Sequence, residues 1–389
     1  MTSDMVLATA NPADTIAVRF LEQGGQPALE IASLIAEVID QARQTLILAA
    51  YDVRMVPETA APIRTALANA RQRGVNVRMV YDDSQAKPQD RAGFARNGGD
   101  FADTETHERI KELDLPAECL RGIQGQGLMH QKFIVADSRL IWNGSMNWTD
   151  DSMSRMENTI ATVQSEAIAA LFQRDFEQMW QQGNSINSGA FRTSPVELIY
   201  DGKTALTDVD FSPGQGEYIN DMVARRIARA QRRIVFCSML INSSRLLNAL
   251  LTVLDQQKIE LWGVYDRTQM NGVLDQWQGQ PQLQWKIDAI HTLMRRAEMV
   301  GKQSLPYRPG RSHNFMHNKL LVIDDTVVFG SYNLSHSAEG NSENMMAIES
   351  PALAERAVAY VSHLRDRFLA EPHGSDEHDH HVMPDYRQS

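Results

Sequence analysis

Two cysteines, Cys119 and Cys237, in a chain of 389 residues leave no material for a disulfide framework or a thiolate metal cluster. That count suits a reducing compartment. Long apolar runs are missing too: no stretch of about 18 apolar residues occurs, so no membrane-spanning helix is expected. The opening "MTSDMVLATANPADTIAVRF" breaks its short apolar run with Asn, Pro and Asp, unlike a secretory leader, and a cytoplasmic location is the expectation. Positive charge is in deficit, with a formal net charge of −11. Indiscriminate binding to polyanions needs a strong basic footprint, so any such binding must rest on a local patch.

What is present is a 43% hydrophobic content, enough to fill real cores, and a chain written twice. "MHQKFIVAD" stands at 129–137 and "MHNKLLVID" at 316–324. Around each motif the same order recurs. An amphipathic helix ("PALEIASLIAEVIDQAR"; 217–231) leads into an apolar strand ("TLILAAYD"; "RRIVFCSML"), a second helix, and a strand ending alike in "VYDDSQ" and "VYDRTQ". After a variable stretch come the motif, a short apolar run, Gly-Ser, an "EN" strand start and a closing helix. Ser145 and Ser331 are 186 residues apart, as are Glu157 and Glu343, which indicates one duplicated unit.

Alternating strands and helices predict an α/β fold: two duplicated α-β-α units with mixed β-sheets flanked by helices, packed about a pseudo-twofold axis. The first unit is expected over 18–183 and the second over 217–370. The Asn, Ser, Gly and Pro-rich 184–216 reads as a linker, and 371–389 as a disordered polar tail. That tail carries His373, His378, His380 and His381; clustered imidazoles suggest a divalent metal, but intervening acids and the lack of a rigid element favour a solvated tail.

Side chains two apart on a strand share a face, so His130 joins Lys132 and His317 joins Lys319. One such segment alone is as readily a half-exposed strand start; two with matching sequels are not. Histidines meeting across a pseudo-twofold axis can divide labour, one attacking and one supplying the leaving group's proton. The lysines would balance the non-bridging oxygens of a phosphate. Ser145 with Asn147, and Ser331 with Asn333, follow glycine turns and offer neutral donors to the same oxygens. Glu157 and Glu343 are placed to accept a histidine N–H and fix its tautomer.

These residues resemble the paired HxKxxxxD signatures of the phospholipase D superfamily, with its downstream Gly-Ser-x-Asn and Glu-Asn elements, over about 18–370. The resemblance implies a metal-independent phosphodiesterase with no cofactor, working through a covalent phosphohistidine. It implies His130 as nucleophile, His317 as acid, and Asp137 and Asp324 as motif members that mainly hold the fold yet are counted with the catalytic set. The second copy is one residue shorter between its aspartate and Gly330 than the first between Asp137 and Gly144, which a shorter turn would absorb.

For substrate, "GSYNLSHSAEGNSENMMAI" looks closer to the small endonuclease branch, and Arg295, Arg296, Lys302, Arg308 and Arg311 stand among Tyr307, His313 and Phe315, a pattern able to track a single strand and stack on bases. Nucleic acid is therefore slightly favoured over phospholipid. The alternatives are a phospholipase D or phosphatidyltransferase acting on head groups, with peripheral membrane contact left open, and an inactive binding module. The insertions near 84–128 and before His317 are expected to wall the cleft. Oligomeric state leaves no mark in the sequence.

Overall fold

The structure, a computed structural model, describes residues 14–83, 106–125, 127–256, 258–306, 308 and 311–371. The tail with its four histidines, residues 84–105 of the first insertion, and Tyr307 lie outside the described residues.

The first half runs β1 (Thr15–Leu21), α1 (Ala28–Asp40), β2 (Thr45–Ala50), β3 (Val53–Arg54), α2 (Pro57–Gln72), β4 (Asn76–Asp82), α3 (Thr106–Ile110), β5 (Leu120–Ile123), β6 (Lys132–Ala136), β7 (Leu140–Gly144), β8 (Trp148–Thr149), α4 (Asp150–Ser154), β9 (Asn158–Gln164) and α5 (Glu166–Gln182). After β10 (Val196–Tyr200) and β11 (Lys203–Ser212), the second half gives α6 (Gly216–Arg229), β12 (Arg233–Ser238), α7 (Ser244–Gln256), β13 (Glu260–Asp266), α8 (Arg267–Trp277), α9 (Gln284–Arg296), β14 (Val300–Lys302), β15 (Lys319–Ile323), β16 (Thr326–Gly330), β17 (Glu343–Glu349) and α10 (Pro351–Ala370). The strand order β5-β4-β2-β6-β7-β9 of one half is matched by β14-β13-β12-β15-β16-β17 in the other.

The two mixed half-sheets are not separate. They join through β9-β1-β10-β11-β17 into one 15-stranded ladder. The 184–216 stretch expected as a linker thus carries two strands. "VELIY" and "KTALTDVDFS" alternate as strands should, and between them Asp201 and Gly202 take φ of 49° and 73°, the left-handed pair of a two-residue hairpin turn. Ser, Gly and Pro on either side hid this hairpin in the sequence.

Side-chain alternation sets the layers. On β6, Phe133 and Val135 face a central core while Ile134 and Ala136 face an outer one under α1 and α2; on β15, Leu320 and Val322 face the same central core while Leu321 and Ile323 pack outward. The closing helices supply that centre, with Phe172 and Phe176 from α5 and Val361 and Leu364 from α10. Both faces of each motif strand are buried, so both strands read as nearly unbroken apolar runs.

Asp137 and Asp324 lie beyond the far ends of these strands. Asp137 accepts the backbone N–H groups of Arg43, Gln44 and Thr45 at 2.7–2.9 Å, and Asp324 those of Gln231, Arg232 and Arg233 at 2.8–3.1 Å. Each pins the turn that enters the strand paired with its motif strand, β2 in the first half and β12 in the second. Five residues of extended chain put Asp137 about 16 Å from Lys132. Their place in the catalytic set is corrected on this ground: the geometry makes them fold-holding. The residue missing from the second copy is absorbed in this turn, where Asp137 and Ser138 both have positive φ in the first half and Asp324 alone in the second.

Candidate active site

Each motif histidine sits where a parallel strand ends. Asp82, last residue of β4, accepts the backbone N–H of Met129 at 2.8 Å, and Asp266, last residue of β13, accepts that of Met316 at 2.8 Å. The doubled "VYD" was visible in the sequence, but its task of holding the residue before each histidine was not. Burial pushes the Asp266 carboxyl up to about 6, against the pull of Gln269 N–H, the Ser304 hydroxyl and Met316 N–H.

The glycine before each serine is required by close approach. A Cβ at Gly144 would overlap the Thr159 carbonyl, and one at Gly330 the Asn344 carbonyl. With no Cβ there, Ser145 N–H donates to Thr159 O at 2.9 Å and Ser331 N–H to Asn344 O at 3.0 Å. The serine hydroxyls complete these clasps: Ser145 Oγ accepts Thr159 N–H and donates to Asn158 Oδ1, and Ser331 Oγ accepts Asn344 N–H. Both serines are fully buried, as are His130, Lys132, His317 and Lys319, and in this structure their hydroxyls clasp the neighbouring strand. Asn147 and Asn333 differ, since their amide oxygens are buried without a hydrogen-bond partner.

The halves meet along a polar seam that holds the histidines. His130 N–H donates to the carbonyl of Ser342, and His130 Nδ1 lies 2.6 Å from Glu343 Oε2. Asn341 donates to the other oxygen of Glu343 at 3.1 Å. His317 Nδ1 lies 2.9 Å from Asn158 Oδ1. Carboxylate and amide oxygens only accept, so both rings carry their proton on Nδ1 and present Nε2 as the reactive atom. Lys319 Nζ stands 3.1 Å from His317 Nε2 and donates to His317 O; Lys132 Nζ donates to His130 O and lies 4.7 Å from the Tyr51 ring centre. The middle residues of the motifs, Gln131 and Asn318, also cross the seam: Asn344 donates to Gln131 and Thr159 to Asn318.

Glu157 departs from the symmetric expectation. Its carboxylate is held 2.6 Å from Lys302 Nζ, a second-half residue at the end of β14, with both side chains almost wholly buried. Burial raises the Glu157 carboxyl, and the Lys302 ammonium opposes that rise. The sequence pattern places Lys302 among basic and aromatic residues able to track a single strand, and the structure buries it instead. Three more of these residues are engaged elsewhere: Arg296 pairs with Asp255 near the far end of α7, while His313 and Phe315 are buried against each other at 4.6 Å; Arg295, Arg308 and Arg311 are exposed.

This arrangement places a carboxylate-backed imidazole and an amide-backed imidazole in one seam, with a lysine beside each. A family model described as the PLD-like domain of cardiolipin synthase matches twice, over 35–180 and 223–365. The chain belongs to the phospholipase D-like family. A human mitochondrial cardiolipin hydrolase is 28% identical over 35% of this chain and 47% of its own length, and a phospholipase D of Rickettsia conorii is 27% identical over 37% and 60%. The chain spans about half the length of the curated relatives it matches. In fold it is similar to phosphatidylserine synthase of Haemophilus influenzae, with a TM-score of 0.59 and 13% identity over 90% of this chain and 86% of the other. Among the described residues, no group of three or more His, Cys, Asp or Glu side chains is placed to hold a metal ion. No helix among them is long and apolar enough to cross a membrane.

Proposed function

We propose that this protein hydrolyses the phosphodiester bond of a phospholipid through a phosphohistidine on His130. The observation that carries the assignment is the 2.6 Å contact between His130 Nδ1 and Glu343. A carboxylate behind Nδ1 fixes the tautomer that leaves Nε2 bare and steadies the charge that appears when Nε2 bonds to phosphorus. His317, backed by the neutral amide of Asn158, enters the reaction as imidazolium with a second proton on Nε2 and gives that proton to the departing alkoxide as the P–O bond breaks. It then takes a proton from water, whose oxygen bonds to phosphorus as the P–N bond breaks. Lys132 and Lys319 balance the non-bridging oxygens, and the side-chain amide N–H groups of Asn147 and Asn333 donate to them.

Phospholipid replaces the nucleic acid slightly favoured from the sequence. The relatives' names support this, as does the burial of Lys302, His313 and Phe315, which removes members of the supposed strand-tracking patch. Incubation with cardiolipin, phosphatidylcholine and single-stranded DNA in parallel, with EDTA present, tests the reading. Head-group release that is lost in His130→Ala is expected. Cleavage of DNA alone, or of nothing, would overturn it.

A further inference from the structure

Among the described residues six large apolar side chains are exposed: Leu29, Ile186, Tyr218, Trp285, Leu305 and Leu369. The topology places all six at the end of the molecule where the catalytic seam lies. Leu29, Tyr218 and Trp285 stand at the starts of α1, α6 and α9, helices that run away from that end toward the turns pinned by Asp137 and Asp324. Ile186 follows α5 beside Gln124, and Leu305 follows Lys302 at the end of β14. Leu369 closes α10 next to Phe368, whose ring centre is 5.7 Å from Lys302 Nζ. At the opposite end no large apolar side chain is exposed among the described residues.

We propose that this end is a docking face for the surface of a phospholipid bilayer, which brings the head-group phosphate to the seam. The choice of occupant rests on the phospholipid reading above. The spacing supports it: separate anchors ringing a site can each enter a head-group layer, whereas a protein interface needs one contiguous patch. So does the chemistry. Tyr218 has the exposed Arg225 guanidinium 5.9 Å from its ring, pairing an amphipathic ring with a cation suited to lipid phosphate, and Trp285 offers a second amphipathic ring at the start of α9. Because the chain carries a net charge of −11, apolar insertion and not bulk charge attraction holds the protein to the bilayer.

The test uses the full chain with vesicles of phosphatidylcholine, and of phosphatidylcholine containing a minority of cardiolipin, at low and high salt. The wild type is expected to sediment with both, its bound fraction changing by less than about twofold with salt. Tyr218→Ser with Trp285→Ser is expected to cut vesicle binding and vesicle turnover about tenfold, leaving turnover of a monomeric short-chain phospholipid unchanged. Wild-type protein that stays in the supernatant, a double variant that binds as the wild type does, or a wild type whose face is covered by self-association in the absence of vesicles would overturn the proposal. Vesicle binding without turnover of any phospholipid would remove the proposed reaction and leave the docking face standing.

Discussion

Glu343 of the second half lies 2.6 Å from the Nδ1 of His130 in the first, so the reactive ring of one repeat is oriented by a carboxylate of the other. Replacing Glu343 by Gln keeps an acceptor but removes its charge. The expected result is a fall in kcat of about 10²–10³-fold, the range general-base partners supply, with little change in KM or in melting temperature. Steady-state kinetics on a phospholipid substrate measures it.

The two histidines should fail in different ways. His130→Ala removes the atom that bonds to phosphorus, so no acid-labile phosphoenzyme should be trapped from any substrate. His317→Ala removes the proton donor, a loss that a good leaving group bypasses. With a p-nitrophenyl phosphodiester, His317→Ala should retain formation of the phosphoenzyme while losing most activity on lipid. Trapping in His130→Ala and not in His317→Ala would reverse the assignment.

Lys302 and Glu157 form an ion pair removed from water. Lys302→Met leaves a buried carboxylate without its cation and should cost about 3–5 kcal/mol of stability. Lys302→Met with Glu157→Leu removes both charges and should recover most of that loss. Urea unfolding of the two variants decides whether the pair is coupled.

Burial pushes the Asp175 carboxyl up to about 7, against donation from the Ser188 hydroxyl and Gly189 N–H. Between the ordinary carboxylate value of 3.8 and about 7 the folded chain holds a proton that the unfolded chain has released. Its contribution is therefore fully present at low pH and lost as pH rises toward 7. Asp175→Asn should gain stability relative to the wild type on going from about pH 5 to about pH 8. Asp137 and Asp324 have the opposite sign: burial raises each, three backbone N–H donors outweigh it, and the net lowering gives support that is present at neutral pH and lost as pH falls through their folded values. Unfolding midpoints from about pH 5 to about pH 8 read the first effect, and midpoints taken below the ordinary carboxylate value of 3.8 read the second.

The duplicated unit, the strands that end at each histidine and the Gly-Ser turns were legible because they are written as local patterns twice. The same holds for Glu343, which accepts a histidine N–H as its position suggested. Lys302 was not legible as the partner of Glu157: 145 residues separate them, and only the meeting of the halves brings β14 to the start of β9. The strand-clasping bonds of Ser145 and Ser331 were not legible because a hydroxyl in a glycine turn looks the same in sequence whether it faces a ligand or a neighbouring strand. The β10–β11 hairpin was missed where turn-forming neighbours outweighed a short alternation.

That hairpin also bears on how the two repeats can move. Hydrogen-bonded strands continue from one repeat into the other, through the Thr15–Ile199 pair between β1 and β10 and the Leu206–Ser212 run paired with β17, so parting the repeats along this ladder would break main-chain bonds. Entry of substrate and departure of product are left to the loops and side chains around the rim.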